Sequence, residues 1–133
     1  MASSVLDASA VLAYLRDEEG AQRVADALGE GAVMSAANWA EVLSKVADLG
    51  EDPETLEARL VAEGLIGSVL EIVALEPSDA LRIARLRPVT RAAGLSLGDR
   101  ACLALAARLV LPALTADRAW NGVSLGVEVE TIR

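Results

Sequence analysis

The segment Ser3–Arg16, SSVLDASAVLAYLR, joins a β-prone run directly to an apolar helical pattern. Ser3 to Leu6 is predicted to be a strand that stops at Asp7. Ala8 to Arg16 is predicted to be a helix, because its large apolar residues recur on one helical face. This order of strand and then helix sets the pattern that the rest of the chain repeats.

The alternation of strands and helices continues along the whole sequence. Further strands are predicted at Ala32 to Met34, Glu71 to Leu75, Ala113 to Thr115 and Val127 to Ile132. Further helices are predicted from Glu19 to Gly29, from the Ser35 cap to about Leu49, from Pro53 to about Gly64, from Pro77 to about Leu86 and from Ser96 to about Leu109. Pro88 is expected to kink or break the fifth of the chain's helices, a short helical piece then ends at Gly94, and a helical turn covers Asp117 to Trp120. The order predicts an α/β domain with a mostly parallel sheet, in which ligands bind beyond the carboxyl ends of the strands.

Composition limits the chemistry that this chain can perform. The sequence has 133 residues, a net charge of −8, 53% hydrophobic residues, no His and one Cys. One globular domain over residues 1–133 is expected, with no membrane span and no basic leader. The absence of His excludes imidazole-based triads and imidazole metal ligands, and one Cys excludes an internal disulfide. A reducing cytoplasm is the expected compartment.

Charge is distributed unevenly along the chain. Residues 17–63 carry twelve acids and three bases, whereas residues 78–100 carry five Arg and two Asp. A net acidic protein is not expected to bind nucleic acid non-specifically, although the Arg-rich segment weakens that objection.

Four acids stand where an α/β sheet places its ligand site. Asp7 and Asp117 follow strands, while Glu41 and Asp99 lie near the starts of helices. Each also has a structural interpretation, as a helix cap or as part of a solvated helix face, and Asp99 in its apolar helix fits that interpretation least well. Carboxylates gathered together raise one another's pKa unless a cation compensates them. Oxygen ligands suit Mg²⁺ or Mn²⁺, and paired ions of this kind assist phosphodiester cleavage.

The segments around these acids resemble the PIN-domain ribonucleases of the VapC toxin type. They are Val5–Ala13 (VLDASAVLA), Ser35–Val42 (SAANWAEV), Gly94–Ala106 (GLSLGDRACLALA) and Leu114–Trp120 (LTADRAW). The third segment is the most specific of them. The resemblance implies a PIN-like α/β/α sandwich with a short, mostly parallel central sheet.

The resemblance also implies roles for individual residues. Asp7, Glu41, Asp99 and Asp117 would be the catalytic acids and would hold Mg²⁺ or Mn²⁺, with Ser9, Asn38 and Thr115 as supporting polar groups. The function implied is a metal-dependent endoribonuclease that acts as a toxin, is inhibited by a cognate antitoxin and forms a homodimer. The helices around Val42 to Leu49 and Leu56 to Leu65 offer surface for a dimer, and equally suit an ordinary core.

Other side chains are weaker candidates for RNA contacts. Arg82, Arg85 and Arg91 are candidates to line an RNA groove, and Arg100 and Arg118 to contact phosphate. Ordinary surface solvation, or pairing with neighbouring acids, is the alternative for each. Trp39 and Trp120 are better suited to buried packing than to stacking on a base.

Three other functions stay open from the sequence. One is a PIN-like binding module without nuclease activity, which the acid-rich segment 17–63 favours because it suits a basic partner. Another is a PIN nuclease of RNA maturation. The third is a phosphohydrolase with Asp7 as nucleophile, which is disfavoured because Ser9 stands where haloacid-dehalogenase-type phosphatases carry a second Asp.

Overall fold

A computed structural model of the chain describes residues 2–123 and 126–133. The strands are β1 (Ser4–Leu6), β2 (Ala32–Ser35), β3 (Leu70–Val73), β4 (Ala113–Thr115) and β5 (Val129–Thr131). The helices are α1 (Ala8–Leu15), α2 (Ala21–Glu30), α3 (Ala36–Asp48), α4 (Pro53–Ala62), α5 (Pro77–Thr90) and α6 (Leu97–Leu109), with a 3₁₀ turn at Arg118–Trp120. None of the helices in these ranges has the length and apolar character that a membrane crossing requires.

The described strands form one five-stranded sheet, and every pair in it is parallel. The order is β3-β2-β1-β4-β5, so the chain moves outward from β1 in one direction and later returns to build the other side. The reversal falls between β1 and β4, which pair in register at Val5 with Ala113 and Leu6 with Leu114. Such a switch point leaves a crevice at the carboxyl ends of the two strands, the place where open α/β sheets bind ligands.

Alternate residues of the strands supply two cores, one on each face of the sheet. Leu6, Met34 and Leu114 pack with α1 to α4, whereas Val5 and Val33 pack with α6 and Trp120. Successive side chains of a strand point to opposite faces, so short buried strands serve both layers. The predicted α/β/α arrangement is therefore confirmed, with a sheet that is wholly parallel in its described strands.

The predicted boundaries of α5 and α2 differ from those of the structure. α5 continues through Pro88 to Thr90, because Pro88 lies near the exposed end of the helix and removes a single backbone hydrogen bond there. The buried Thr90 hydroxyl donates to the Leu86 carbonyl at 2.7 Å and helps to hold this last turn. α2 continues past Gly29 to Glu30, and Gly31, with φ of 90°, ends it.

A buried ion pair fixes α5 against α6. Asp79 is fully buried and accepts from Arg108 Nε at 3.1 Å and from the Glu76 N–H at 2.8 Å. Arg108 also donates to Glu76 Oε1 at 3.1 Å and to the Ala74 carbonyl at 3.0 Å. Burial raises the pKa of Asp79, but the Glu76 N–H and the Arg108 guanidinium outweigh it, and the net pKa is lowered. The contact fixes α5 against α6, and the loop between these two helices leads to the Asp99 segment.

Candidate active site

Asp7 lies at the switch point and is held on several sides by hydrogen bonds. Its Oδ1 accepts from the Ala10 N–H at 2.8 Å, so the carboxylate caps α1 as the structural interpretation predicts. Ser9 Oγ lies 2.8 Å and 2.9 Å from the two carboxylate oxygens, and Thr115 Oγ1 donates to Oδ2 at 2.6 Å. Only 3% of Asp7 is exposed. The Asp7 side chain therefore caps α1 and also belongs to a buried polar site with Ser9 and Thr115.

The surroundings of Asp7 make its charge costly. Burial raises the pKa of Asp7 from its ordinary 3.8 to about 6. This value of about 6 is the net result: the hydrogen bonds from Thr115, Ala10 and Ser9 lower the pKa, and the charge of Asp99 adds to the effect of burial. A cation placed beside this carboxylate would therefore be strongly favoured.

The end of β4 connects Asp7 to Asp117. Thr115 Oγ1 accepts from the Asp117 N–H at 3.0 Å, and Ser9 Oγ accepts from the Ala116 N–H at 2.9 Å. Asp117 is exposed and its Oδ1 accepts from the Ala119 N–H at 2.9 Å, which caps the 3₁₀ turn. The backbone of this loop is therefore tied to Asp7 through two hydroxyls.

Asn38 connects the starts of α3 and α6. Ser35 caps α3 by accepting from the Asn38 N–H at 3.0 Å, and its hydroxyl donates to Asn38 Oδ1 at 2.6 Å. The other end of the amide, Asn38 Nδ2, donates to the Gly98 carbonyl at 2.9 Å. Asp99 Oδ2 in turn accepts from the Ser96 N–H at 2.8 Å, while Ser96 Oγ accepts from the Asp99 N–H at 3.1 Å, which completes a capping box.

Three of the acids form one electrostatic cluster. The pKa of Glu41 is raised by burial and then by Asp99, with Lys45 opposing. Cys102 is fully buried, and its thiol pKa is raised by burial and then by the charges of Asp7, Asp99 and Glu41. The charges of Asp7, Asp99 and Glu41 therefore act on the same thiol. The Glu41 carboxylate lies against Gly98, the residue before Asp99.

The donor set of the cluster fits a hard divalent ion. Its ligands are carboxylate, hydroxyl and amide oxygens, which suit Mg²⁺ or Mn²⁺ and not zinc. Across residues 2–123 and 126–133, no group of three or more acidic or thiol side chains is drawn together tightly enough to hold an ion in this arrangement. Each of Asp7, Asp99 and Asp117 instead accepts from a backbone N–H.

The Arg candidates do not share one position in the fold. Arg82, Arg85, Arg91 and Arg118 are exposed, and Arg118 Nε donates to the Arg133 carbonyl at 3.0 Å. The expectation of a surface position is wrong for Arg100. That side chain is 9% exposed, and its Nη1 donates to the Ile83 carbonyl at 3.0 Å, because α5 packs over this face of α6.

Both tryptophans are buried, as predicted. Trp39 is 5% exposed and its Nε1 donates to Glu57 Oε1 at 2.9 Å, while Trp120 is 1% exposed. Neither ring is presented to solvent.

Two neighbours of the acids were not singled out from the sequence. Gly98 lies against the Glu41 carboxylate, and Cys102 is a fully buried thiol on α6. The sequence offers one signal for Gly98: it lies in the first turn of a predicted helix, although glycine is among the poorest helix formers.

Comparison with known proteins places this architecture in a family. The PIN domain family model matches residues 4–124. The structure is similar to a toxin–antitoxin complex from Klebsiella pneumoniae, with 20% identity, a TM-score of 0.71 and 98% of each chain covered. It is also similar to FitAcB from Neisseria gonorrhoeae, with 24% identity, a TM-score of 0.72 and 97% of each chain covered.

A third similar structure is DNA-bound VapBC from Salmonella typhimurium, with 19% identity, a TM-score of 0.72 and all of each chain covered. At these identities the likeness establishes the fold. The search of curated proteins gave no match. The family model covers most of the chain and includes all four acid-bearing segments, so this chain belongs to the PIN domain family.

Proposed function

We propose that this protein is a metal-dependent endoribonuclease. The observation that carries the proposal is the buried Asp7 at the switch point of a PIN fold, where the Thr115 hydroxyl joins its carboxylate to the Asp117 backbone. The Glu41 carboxylate lies against Gly98, the residue before Asp99. Three acids at one sheet edge, with a single lysine opposing them at Glu41, leave negative charge to be compensated. Divalent cations bound by oxygen ligands supply that compensation.

Each side chain of the site has a role in this proposal. Asp7, Glu41, Asp99 and Asp117 are the catalytic acids and hold Mg²⁺ or Mn²⁺. The hydroxyls of Ser9 and Thr115 orient Asp7, and the amide of Asn38 fixes the start of α6 against α3, so these three residues support the acids. When bound, the ions supply the positive charge that attracts a phosphodiester and stabilises its cleavage. Asp117 is exposed and would be the fourth acid to hold the ions.

The exposed arginines provide the RNA-binding surface in this proposal. Arg82, Arg85 and Arg91 lie on α5 or directly after it, and the loop that follows leads into the Asp99 segment. Arg118 lies beside Asp117. Guanidinium groups bind phosphate oxygens well, and contacts of this kind attract RNA without selecting a sequence. Arg100 is left out because it is buried against α5.

A cleavage assay tests the proposed activity. Purified wild-type protein is incubated with total RNA in Mn²⁺, in Mg²⁺ and in EDTA, beside Asp99→Asn and the control Asp48→Asn. Asp48 is an exposed acid at the end of α3 and lies outside the cluster. The proposal predicts discrete fragments for wild type and for the control in either metal. Cleavage that persists in EDTA, or in Asp99→Asn, would contradict it.

We further propose that the protein is the toxin of a toxin–antitoxin pair in the cytoplasm. The similar solved structures include a toxin–antitoxin complex and VapBC, which supports this reading. The partner is then an antitoxin protein that places an Arg or Lys in the acidic cluster. Induced expression of wild type should arrest growth, whereas Asp99→Asn should not. A PIN nuclease of RNA maturation would cleave RNA without arresting growth.

A homodimer is part of the same proposal. The helices considered for an interface contribute Val42, Val46 and Leu60 to the core, so those side chains are not free for a partner. Leu49, directly after α3, and Val61, on α4, are 66% and 53% exposed and are apolar groups available for a dimer contact. Sedimentation velocity of wild type and Leu49→Ser would test this, with a weaker dimer expected for the variant.

A second candidate function is a binding module without nuclease activity. The observation in its favour is that, in the described part of the chain, no three acidic side chains are arranged to hold an ion. Under this alternative, wild type binds no Mn²⁺ at the cluster and cleaves no RNA in any metal.

A further inference from the structure

We infer that Gly98 is the positioning residue for Glu41, because the missing side chain at residue 98 is what allows the Glu41 carboxylate to reach the acidic cluster. The inference rests on the proposed metal-dependent function of that cluster. A Cβ built on Gly98 would lie 2.5 Å from Glu41 Oε1, a distance that real Cβ atoms do not adopt. The carboxylate therefore occupies space that any other residue at this position would fill.

The backbone of Gly98 does not itself require glycine. Gly98 lies in the first turn of α6, and its φ is not in the left-handed region that favours glycine. Glycine weakens a helix relative to alanine, so its presence here works against the stability of α6. Helix formation therefore does not explain a glycine at this position, whereas the close approach of the Glu41 carboxylate does.

The other neighbours of residue 98 tolerate a methyl group. Asn38 Nδ2 lies 3.6 Å and Glu41 Cδ 3.7 Å from the built Cβ, which are ordinary van der Waals distances. Only Glu41 Oε1 must move, by about 0.9 Å to reach the 3.4 Å where ordinary contact begins. Since Oε1 ends a flexible side chain, the carboxylate turns away and the fold is retained.

Displacement of Glu41 is expected to weaken the binding of a cation shared with Asp99. The Glu41 carboxylate packs against residue 98, which directly precedes Asp99 in the first turn of α6. Loss of a group that positions a metal ligand typically costs roughly ten- to hundredfold in metal affinity. Gly98→Ala should therefore lower Mn²⁺ affinity roughly ten- to hundredfold while it raises the melting temperature by about 2–5 °C.

Gly29 provides a matched control for this variant. It also lies in a helix, and a Cβ there meets nothing within 4 Å. Gly29→Ala should raise the melting temperature in the same direction and leave Mn²⁺ affinity unchanged. If Mn²⁺ affinity falls in Gly98→Ala but not in Gly29→Ala, the cause is the displacement of Glu41 and not a general stabilisation of helices.

The test measures Mn²⁺ affinity by calorimetry, together with the melting temperature in EDTA, for wild type, Gly98→Ala, Gly29→Ala, Glu41→Asp and Gly98→Ala/Glu41→Asp. Aspartate is one methylene shorter, so its carboxylate avoids the new methyl group. We expect the Glu41→Asp substitution to lower Mn²⁺ affinity more in the wild-type background than in the Gly98→Ala background. The effects of the two substitutions would then be non-additive. Wild-type affinity in Gly98→Ala, or equal losses in both backgrounds, would overturn the inference alone. A wild-type protein that binds no Mn²⁺ would overturn the proposed function and this inference with it.

Discussion

Replacing Asp7 by Asn is expected to stabilise the metal-free protein at neutral pH, although it removes a residue of the candidate site. Burial raises the pKa of Asp7 from 3.8 to about 6, which means that the fold disfavours the ionised carboxylate. Asparagine keeps an acceptor for the Ala10 N–H, has nearly the same shape, and carries no charge.

The size of the effect follows from the pKa shift of Asp7. The folded state holds the Asp7 proton more tightly than the unfolded chain, so folding takes up a proton between the two pKa values. The free energy of unfolding of wild type therefore falls as the pH rises from about 4 to about 6, and stays low above that range. A shift from 3.8 to about 6 corresponds to about 3 kcal/mol, and Asp7 is too buried for solvent to screen much of it.

Urea unfolding of wild type and Asp7→Asn in EDTA, at several pH values between about 4 and 8, measures this difference. As the pH rises over that range, the free energy of unfolding of the variant should increase relative to that of wild type by about 3 kcal/mol, because the variant lacks the titrating group. Glu41 titrates in both proteins and cancels in the comparison. Added Mn²⁺ should stabilise wild type more than the variant, because the ion binds the ionised carboxylate. Parallel pH profiles in EDTA would refute the burial argument.

Three further predictions concern the surroundings of the site. Arg108→Leu removes the hydrogen-bonded cation of the buried Asp79 carboxylate but leaves Arg82 at 4.0 Å, and should cost about 3 kcal/mol in denaturant unfolding. Thr115→Val removes the 2.6 Å hydrogen bond to Asp7, so NMR titration should find the pKa of Asp7 above about 6; an unchanged pKa would contradict the assigned contact. Arg91→Gln should weaken binding of single-stranded RNA severalfold at low salt, and the difference should shrink as salt increases, as fluorescence anisotropy can show.

Most of the fold could be predicted from the sequence because its signals are local. Buried parallel strands give short apolar runs, and the caps Asp7, Ser35, Asp52 and Ser96 mark where helices begin. The errors arose where local signals compete with packing. Pro88 indicates a break, yet it lies near the exposed end of α5, and the buried Thr90 hydroxyl holds the last turn through the Leu86 carbonyl, so the helix continues.

The site was only partly accessible to sequence reasoning. Asp7 and Thr115 end neighbouring parallel strands, so their proximity follows from the topology. The approach of Glu41 to Gly98 depends on how α3 packs against α6, which no local pattern encodes. Arg100 was placed at the surface for the same reason: the sequence does not reveal that α5 covers it.

The central claim is that the acids at the switch point form one metal-binding site. Calorimetric titration of Mn²⁺ into wild type, Asp99→Asn and the surface control Asp48→Asn tests it most directly. The account predicts that wild type and Asp48→Asn bind Mn²⁺ with the same affinity, and that Asp99→Asn binds it at least about tenfold more weakly because a ligand of the ion is lost. Equal affinity in Asp99→Asn, or no binding by wild type, would contradict it.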